Sequence, residues 1–310
     1  MENIVEITNL TKDYSTGFLR KRNVRALDDL TLSVSGGQIF GFLGGNGAGK
    51  TTTIKILMGL LFPTGGNASI LGKPIGDVSM HRKIGYCPEN PYFYDYLSAR
   101  ELMNYFGELF GYAKADRKKR TDDLLDLVGL EEKARDRQLR KFSKGMLQRV
   151  GLAQALINDP EIVFLDEPMS GLDPMGRREI RELIAGLRVQ GKTVFMSTHI
   201  LSDIEALCDE VAILRHGKLA AKGNLQELLT NENERQGFEV TIANIDVSKL
   251  RSAVPSSIDM TDHASGSIVT CSDETEVESV ISAARSAGGK LVSVQQIRQS
   301  LEDLFTHDNA

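Results

Sequence analysis

The chain has 310 residues, 41% hydrophobic and 25% charged, with 29 Gly and 8 Pro. That is enough for about two domains with real cores, and it excludes both disorder and a collagen-like chain. Its 37 basic and 42 acidic residues leave a net charge of −5, which excludes a surface given over wholly to nucleic acid.

The first residues, MENIVEITNL, mix acidic and apolar positions where a secretory leader needs a basic start and an unbroken apolar stretch. Alternation over Asn3 to Asn9 and again over Thr31 to Val34 predicts antiparallel strands, with the polar, basic stretch Ser15 to Arg25 as a hairpin excursion between them. Gln38 to Leu43 is a short apolar strand. It runs into GGNGAGK and then TTTIKILMGLL, whose apolar positions Ile54, Leu57, Met58 and Leu61 repeat at helical spacing. Pro63 to Gly66 stops that helix, and short strands are expected at Ala68 to Leu71 and Lys83 to Cys87. From Ser98 to Asp159 helical periodicity dominates, which predicts a helical insertion. Strands and helices then alternate through EIVFLD, Gly176 to Val189, KTVFMS, Leu201 to Leu207, EVAILR and Lys218 to Lys222. Apolar strands alternating with helices predict a mostly parallel sheet covered on both faces, so the core is α/β.

A short helix over Leu225 to Thr230 is followed by the charged, apolar-poor NENERQG, read as a linker over 231–236. Beyond it FEVTIANI, DVSKLRSAV, GSIVTCS, ETEVESVISAARSAGG, KLVSVQQ and SLEDLFTH alternate as short strands and helices. They predict a small α+β domain over 237–310, ferredoxin-like in order. Its acidic residues read as solvated surface. The three cysteines, Cys87, Cys208 and Cys271, show no metal-ligand spacing and read as inert thiols of a reducing compartment. No apolar run approaches the roughly 20 residues that span a bilayer, so any membrane role is expected to go through a partner.

The chemistry is concentrated in two stretches. Gly44-Gly45-Asn46-Gly47-Ala48-Gly49-Lys50-Thr51 matches GxxxxGK[ST] between a predicted strand and a predicted helix, the context that motif requires. Its glycines let backbone N–H groups surround a β-phosphate, the helix start adds positive potential, Lys50 brings a charge to the β- and γ-phosphates, and the Thr51 hydroxyl suits Mg²⁺. Ile162 to Glu167 is a buried strand ending in two carboxylates at the sheet edge that also carries the phosphate loop. Asp166 would hold Mg²⁺ through water, and Glu167 would orient and polarise the water that attacks the γ-phosphate.

Five ordered stretches between Ile4 and Leu229 together resemble the ABC transporter ATPases. They are the phosphate loop, the acidic strand end, Phe142-Ser143-Lys144-Gly145-Met146, Ser170-Gly171-Leu172-Asp173 and Ser197-Thr198-His199. The resemblance implies an ABC ATPase domain over residues 1–230, with an antiparallel β subdomain and a helical subdomain at about 90–160. It also implies an ATP site that includes Gly44 to Thr52, with Asn46 and Thr52 among its contacts and Tyr14 stacking on adenine. Ser143 and Gly145 would act as the signature that meets the γ-phosphate on a second copy, although Ser143 is equally a good helix N-cap. Asp173 would be the residue of the family's D-loop, and His199 the switch histidine. Lys50, Glu167 and His199 form the expected catalytic set, and Thr51, Asp166 and Glu89 the metal set.

The sequence departs from the family pattern in three places. Glu89 stands where a glutamine is usual, and it cannot donate as an amide does. Gly45 replaces a common proline, and the signature reads FSKGM, with Lys144 and Met146 in place of glycine and glutamine. The signature and the Pro88-Glu89 pair are similar to those of ATPases serving ABC-2 type exporters. By that resemblance the chain would work as a homodimer around two ATP and Mg²⁺ on a separate membrane permease, cytoplasmic and peripheral to the membrane, with no nucleic acid partner. The aromatic stretch Pro91 to Tyr96 is the expected docking groove, against ordinary packing under a loop. The competing readings are a soluble ABC ATPase working as a nucleotide-driven clamp and a non-hydrolysing regulator in which Glu167 is idle.

Overall fold

The computed structural model describes residues 2–16, 22–229, 237–245, 247–251, 254, 258–263 and 266–296. The chain forms two compact units, residues 1–225 and 226–310.

The first unit opens with a long hairpin of β1 (Asn3–Thr16) and β2 (Arg22–Ser35). β4 (Gly65–Ile70) and β5 (Lys73–Pro74) extend it into an antiparallel sheet ordered β2-β1-β4-β5. Both hairpin strands outrun the expected short segments. Register shifts within β1, with Asn9 at φ 51° and Asp29 at φ 60°, let the pairing continue through polar residues that break simple alternation. Asn9 Nδ2 donates to Asp29 Oδ1 at 2.6 Å across this irregularity.

The central sheet contains β3 (Ile39–Leu43), β6 (Ile84–Cys87), β7 (Ile162–Asp166), β8 (Thr193–Thr198), β9 (Glu210–Arg215) and β10 (Lys218–Asn224), ordered β10-β9-β3-β8-β7-β6. All pairs are parallel except β10 with β9. Every residue of β3, β7 and β8 is buried, which is why their centres read as apolar runs rather than as alternation. Phe195 packs on Phe40, Phe42 and Phe164, each with ring centroids 5.3 Å apart. Burial of each such ring contributes about 1.5–3 kcal/mol.

Helix α1 (Lys50–Leu57) follows β3 and ends earlier than its apolar periodicity predicts, because Gly59 takes up a left-handed conformation at φ 69°. The helical insertion comprises α2 (Ala99–Leu109), α3 (Lys114–Leu127), α4 (Glu132–Arg135) and α5 (Lys144–Ala155). Ser98 and Glu101 close a capping box at the start of α2. Helices α6 (Pro174–Val189) and α7 (Leu201–Leu207) lie between β7 and β8 and between β8 and β9. The short α8 (Leu225–Leu229) follows β10.

The second unit runs β11 (Phe238–Ala243), α9 (Val247–Arg251), β12 (Asp259–His263), β13 (Gly266–Cys271), α10 (Glu274–Ser286) and β14 (Lys290–Gln296). This is a βαββαβ order, and its antiparallel sheet reads β12-β13-β11-β14, the ferredoxin-like arrangement. Val277, Val280 and Ala284 of α10 join Val240, Ile242, Val269 and Cys271 in its own core. The segment SLEDLFTH lies outside the described residues. No helix among the described residues is long and apolar enough to cross a membrane.

Candidate active site

Strand register builds the site. Leu43 pairs with Thr198 across β3 and β8, and Asp166 pairs with Ser197 across β7 and β8. The C-terminal ends of three neighbouring strands therefore lie level, and the chain leaves them into the glycine loop, His199 and Glu167 respectively. Parallel sheets offer their ligand sites at this edge.

The loop is held tightly. Gly49 sits at φ 110°, and a Cβ there would meet the Ala26 carbonyl oxygen at 2.6 Å; a Cβ on Gly44 would meet the Leu214 carbonyl oxygen at 2.7 Å. Gly45 has open space around it, so a Cβ at that position would meet nothing. No side chain caps α1, and the free N–H groups that begin every helix are left to a ligand. Ala48 N–H donates to the Gly45 carbonyl at 3.2 Å, and Gly44 N–H to the Thr198 carbonyl at 3.3 Å. Asn46 and Thr52 lie within this loop and the first turn of α1.

Lys50 is 6% exposed. Its Nζ donates to the carbonyls of Gly44 at 2.6 Å and Gly45 at 3.3 Å, and it stands 3.4 Å from Glu167 Oε1. The other carboxylate oxygen of Glu167, Oε2, lies 2.9 Å from His199 Nδ1. Thr51 Oγ1 donates to Asp166 Oδ1 at 3.3 Å. Asp166 and Glu167 are both buried, at 1% and 7% exposure. Hydroxyl and carboxylate oxygens close together form the hard donor set that suits Mg²⁺. Lys50, Thr51, Asp166, Glu167 and His199 thus form one connected knot, and an anion entering the loop would find Lys50 already beside the attacking edge.

Sequence reasoning gave no role to Ser197, which organises this knot. Fully buried on β8, it donates through Oγ to Asp166 Oδ1 and accepts the Glu167 N–H at 3.3 Å; its carbonyl accepts the same N–H at 3.1 Å. The available signal was the polar Ser197-Thr198 pair closing a buried strand.

Glu89 is half-buried and joins none of these hydrogen bonds. Beside it, burial pushes the Cys87 thiol up to about 12, so that sulfur is inert. Tyr14 lies on strand β1 rather than in a loop, paired with Val24, with Lys12 Nζ 5.3 Å from its ring centroid. The ring thus stands at the hairpin with a cation over one face.

Ser143, Gly145 and Asp173 form a second group that shares no hydrogen bond with the knot. Ser143 Oγ caps α5 by accepting Met146 N–H at 3.3 Å, and Asp173 Oδ1 caps α6 by accepting Gly176 N–H at 2.9 Å. The two turns touch each other. A Cβ on Gly145 would meet Leu172 at 3.1 Å, and Lys144 Nζ donates to Ser170 Oγ at 3.5 Å. The lysine that departs from the usual signature therefore ties it to the Asp173 turn.

Residues 27–170 match the family described as ABC transporter. An uncharacterised ABC transporter ATP-binding protein of Synechocystis sp. is 46% identical over 304 residues, covering 98% of this chain and 84% of that protein. The chain belongs to the ABC transporter ATP-binding proteins. The Nod factor export ATP-binding protein I of Cupriavidus metallidurans is 38% identical over 226 residues, 70% of this chain and 74% of that one. Among solved structures, the dimeric post-hydrolysis state of an ATP-binding cassette bound to ADP and Pi superposes with a TM-score of 0.66 at 28% identity, covering 71% of this chain and 98% of that chain. The chain is thus an ABC-type ATPase, and its fold is that of the ATP-binding cassettes.

Proposed function

We propose that residues 1–230 form the ATP-hydrolysing domain of an exporter, working as a homodimer around two ATP beneath a separate membrane permease, with residues 237–310 as an appendage. The observation that carries the catalytic part is the position of Glu167. Its carboxylate bridges Lys50 and His199 at the edge where the phosphate loop begins.

In this reading the amides of Gly44 to Thr52 and the Lys50 ammonium bind the phosphates, and Lys50 exchanges its contacts with the Gly44 and Gly45 carbonyls for phosphate oxygens. Tyr14 stacks on the adenine. Thr51 and Asp166 would hold Mg²⁺, with Glu89 completing the set from its own loop. When bound, that ion neutralises charge on the β- and γ-phosphates. Glu167 orients and polarises the attacking water, and His199 fixes the Glu167 carboxylate while offering its second ring nitrogen toward the γ-phosphate. Ser143 and Gly145 would meet the γ-phosphate held by the other copy, beside its Asp173 turn. Neither residue hydrogen-bonds to the knot within one chain, which supports that arrangement. Loss of the γ-phosphate then removes charge-assisted contacts at both interfaces and lets the copies part.

Export is supported by the relative named for that process, and the permease by the family together with an exposed aromatic patch. Tyr92, Tyr94, Tyr96 and Tyr105 are 99%, 54%, 59% and 43% exposed, beside the start of α2. Such a patch suits the apolar face of a permease helix. The protein would accordingly sit on the cytoplasmic face of the membrane.

The test is ATP-dependent dimerisation followed by capture. Glu167→Gln should turn over slowly and elute as a dimer with ATP and Mg²⁺, and it should co-purify with an integral membrane protein when expressed in its own cell. Undiminished turnover would remove Glu167 from the reaction. Recovery wholly without a membrane partner would favour the soluble clamp.

A further inference from the structure

Asp203 stands in the first turn of α7, four residues beyond His199, and is 1% exposed. Among the described residues it is the one carboxylate whose two oxygens are both buried without a hydrogen-bond partner. Arg181 on α6 faces it with Nε 3.8 Å from Oδ1, and that Nε is itself buried and unpartnered. Burial pushes the Asp203 carboxyl above its usual range. Arg177 and Arg181 of α6, together with His199, pull the other way, while Glu167 adds to the rise.

Two complementary groups, each costly to bury without a hydrogen bond, therefore face each other at ion-pair distance but beyond hydrogen-bonding reach. An N–H···O bond needs about 2.7–3.2 Å, so a slide of α6 against α7 of about 1 Å would make it. The two helices have different anchors. α6 starts at the Asp173 turn, which touches the signature through Leu172 and Ser170. α7 starts two residues after His199.

We propose that Arg181 and Asp203 are a latch between these helices, open here and closed when a second copy presses on the Asp173 turn, making Asp203 a positioning residue for the His199–Glu167 pair. The inference rests on the two-copy reading above. Closure links arrival of the partner to the carboxylate that orients water, without either latch residue touching nucleotide.

The test is a kinetic cycle in the full chain with Asp203→Asn, Arg181→Gln and the double variant. Each single change should lower kcat about ten-fold with KM for ATP within about two-fold, and the double should be no slower than the worse single, since both remove one bond. Full kcat in either single variant overturns the latch, as do losses that multiply in the double. Arg181 is one-third exposed, so its variant decides the matter should Asp203→Asn fail to fold. Dimerisation of Glu167→Gln with ATP separates the two ideas. If that chain stays monomeric, the two-copy reading falls and the latch with it; if it dimerises while the latch variants keep full kcat, the latch alone falls.

Discussion

Glu167 adopts φ 49°, a left-handed conformation that costs a non-glycine residue about 1–3 kcal/mol. Its N–H is held by both the carbonyl and the hydroxyl of Ser197, so the same residue that steadies the strained turn also binds Asp166. Glu167→Gln keeps the size of the side chain and removes its charge. We expect turnover to fall by about 10²-fold or more with nucleotide affinity retained, measured as phosphate release beside ATP titration. Ser197→Ala deletes the hydroxyl from a buried site. We expect about 1–2 kcal/mol of lost stability by denaturant titration and about ten-fold slower turnover, because the Asp166 carboxylate loses a donor and the Glu167 turn loses a contact. The first of these changes is readable from the acidic pair alone. The second is not, because Ser197 and Asp166 are 31 positions apart and meet only through strand pairing.

At the scale of elements, the glycine loop is a rigid joint between β3 and α1. Gly49→Ala would place a methyl group 2.6 Å from the Ala26 carbonyl oxygen at φ 110°. It should cost about 2 kcal/mol or more and abolish ATP binding, seen as a lower melting temperature that ATP no longer raises. Ser143 caps α5, and Ser143→Ala should cost about 1 kcal/mol. If Ser143 also serves the partner's nucleotide, the variant should bind ATP normally as a monomer yet turn over slowly, and thermal melting beside kinetics separates the two losses. Elements with a strong single period were legible, as with β3, β7, β8 and α6. The hairpin was legible but the full length of its strands was not, since the turns at Asn9 and Asp29 shift the register and interrupt the alternation that marks a strand.

At the scale of the molecule, each unit has its own core, one built around Phe40, Phe42, Phe164 and Phe195 and the other around Val240, Val269 and Val280. A chain ending at residue 230 is therefore expected to fold and unfold cooperatively by itself, followed by circular dichroism on heating. All three cysteines are buried. Burial raises the Cys87 thiol to about 12 and Cys271 to about 11, and raises Cys208 as well. The folded protein should then resist iodoacetamide at pH 8 and react at all three positions after denaturation, counted by mass spectrometry. By itself the sequence determined the phosphate loop, the acidic strand end and the alternation of buried strands with helices, because each is set by neighbours along the chain. The tertiary structure alone decided that Ser197 joins the catalytic knot, that Lys144 ties the signature to the Asp173 turn, that Glu89 shares none of the knot's hydrogen bonds, and that Arg181 and Asp203 face each other at ion-pair distance without a hydrogen bond. Those relations depend on which strands lie side by side and how two helices pack, and local periodicity holds no record of either.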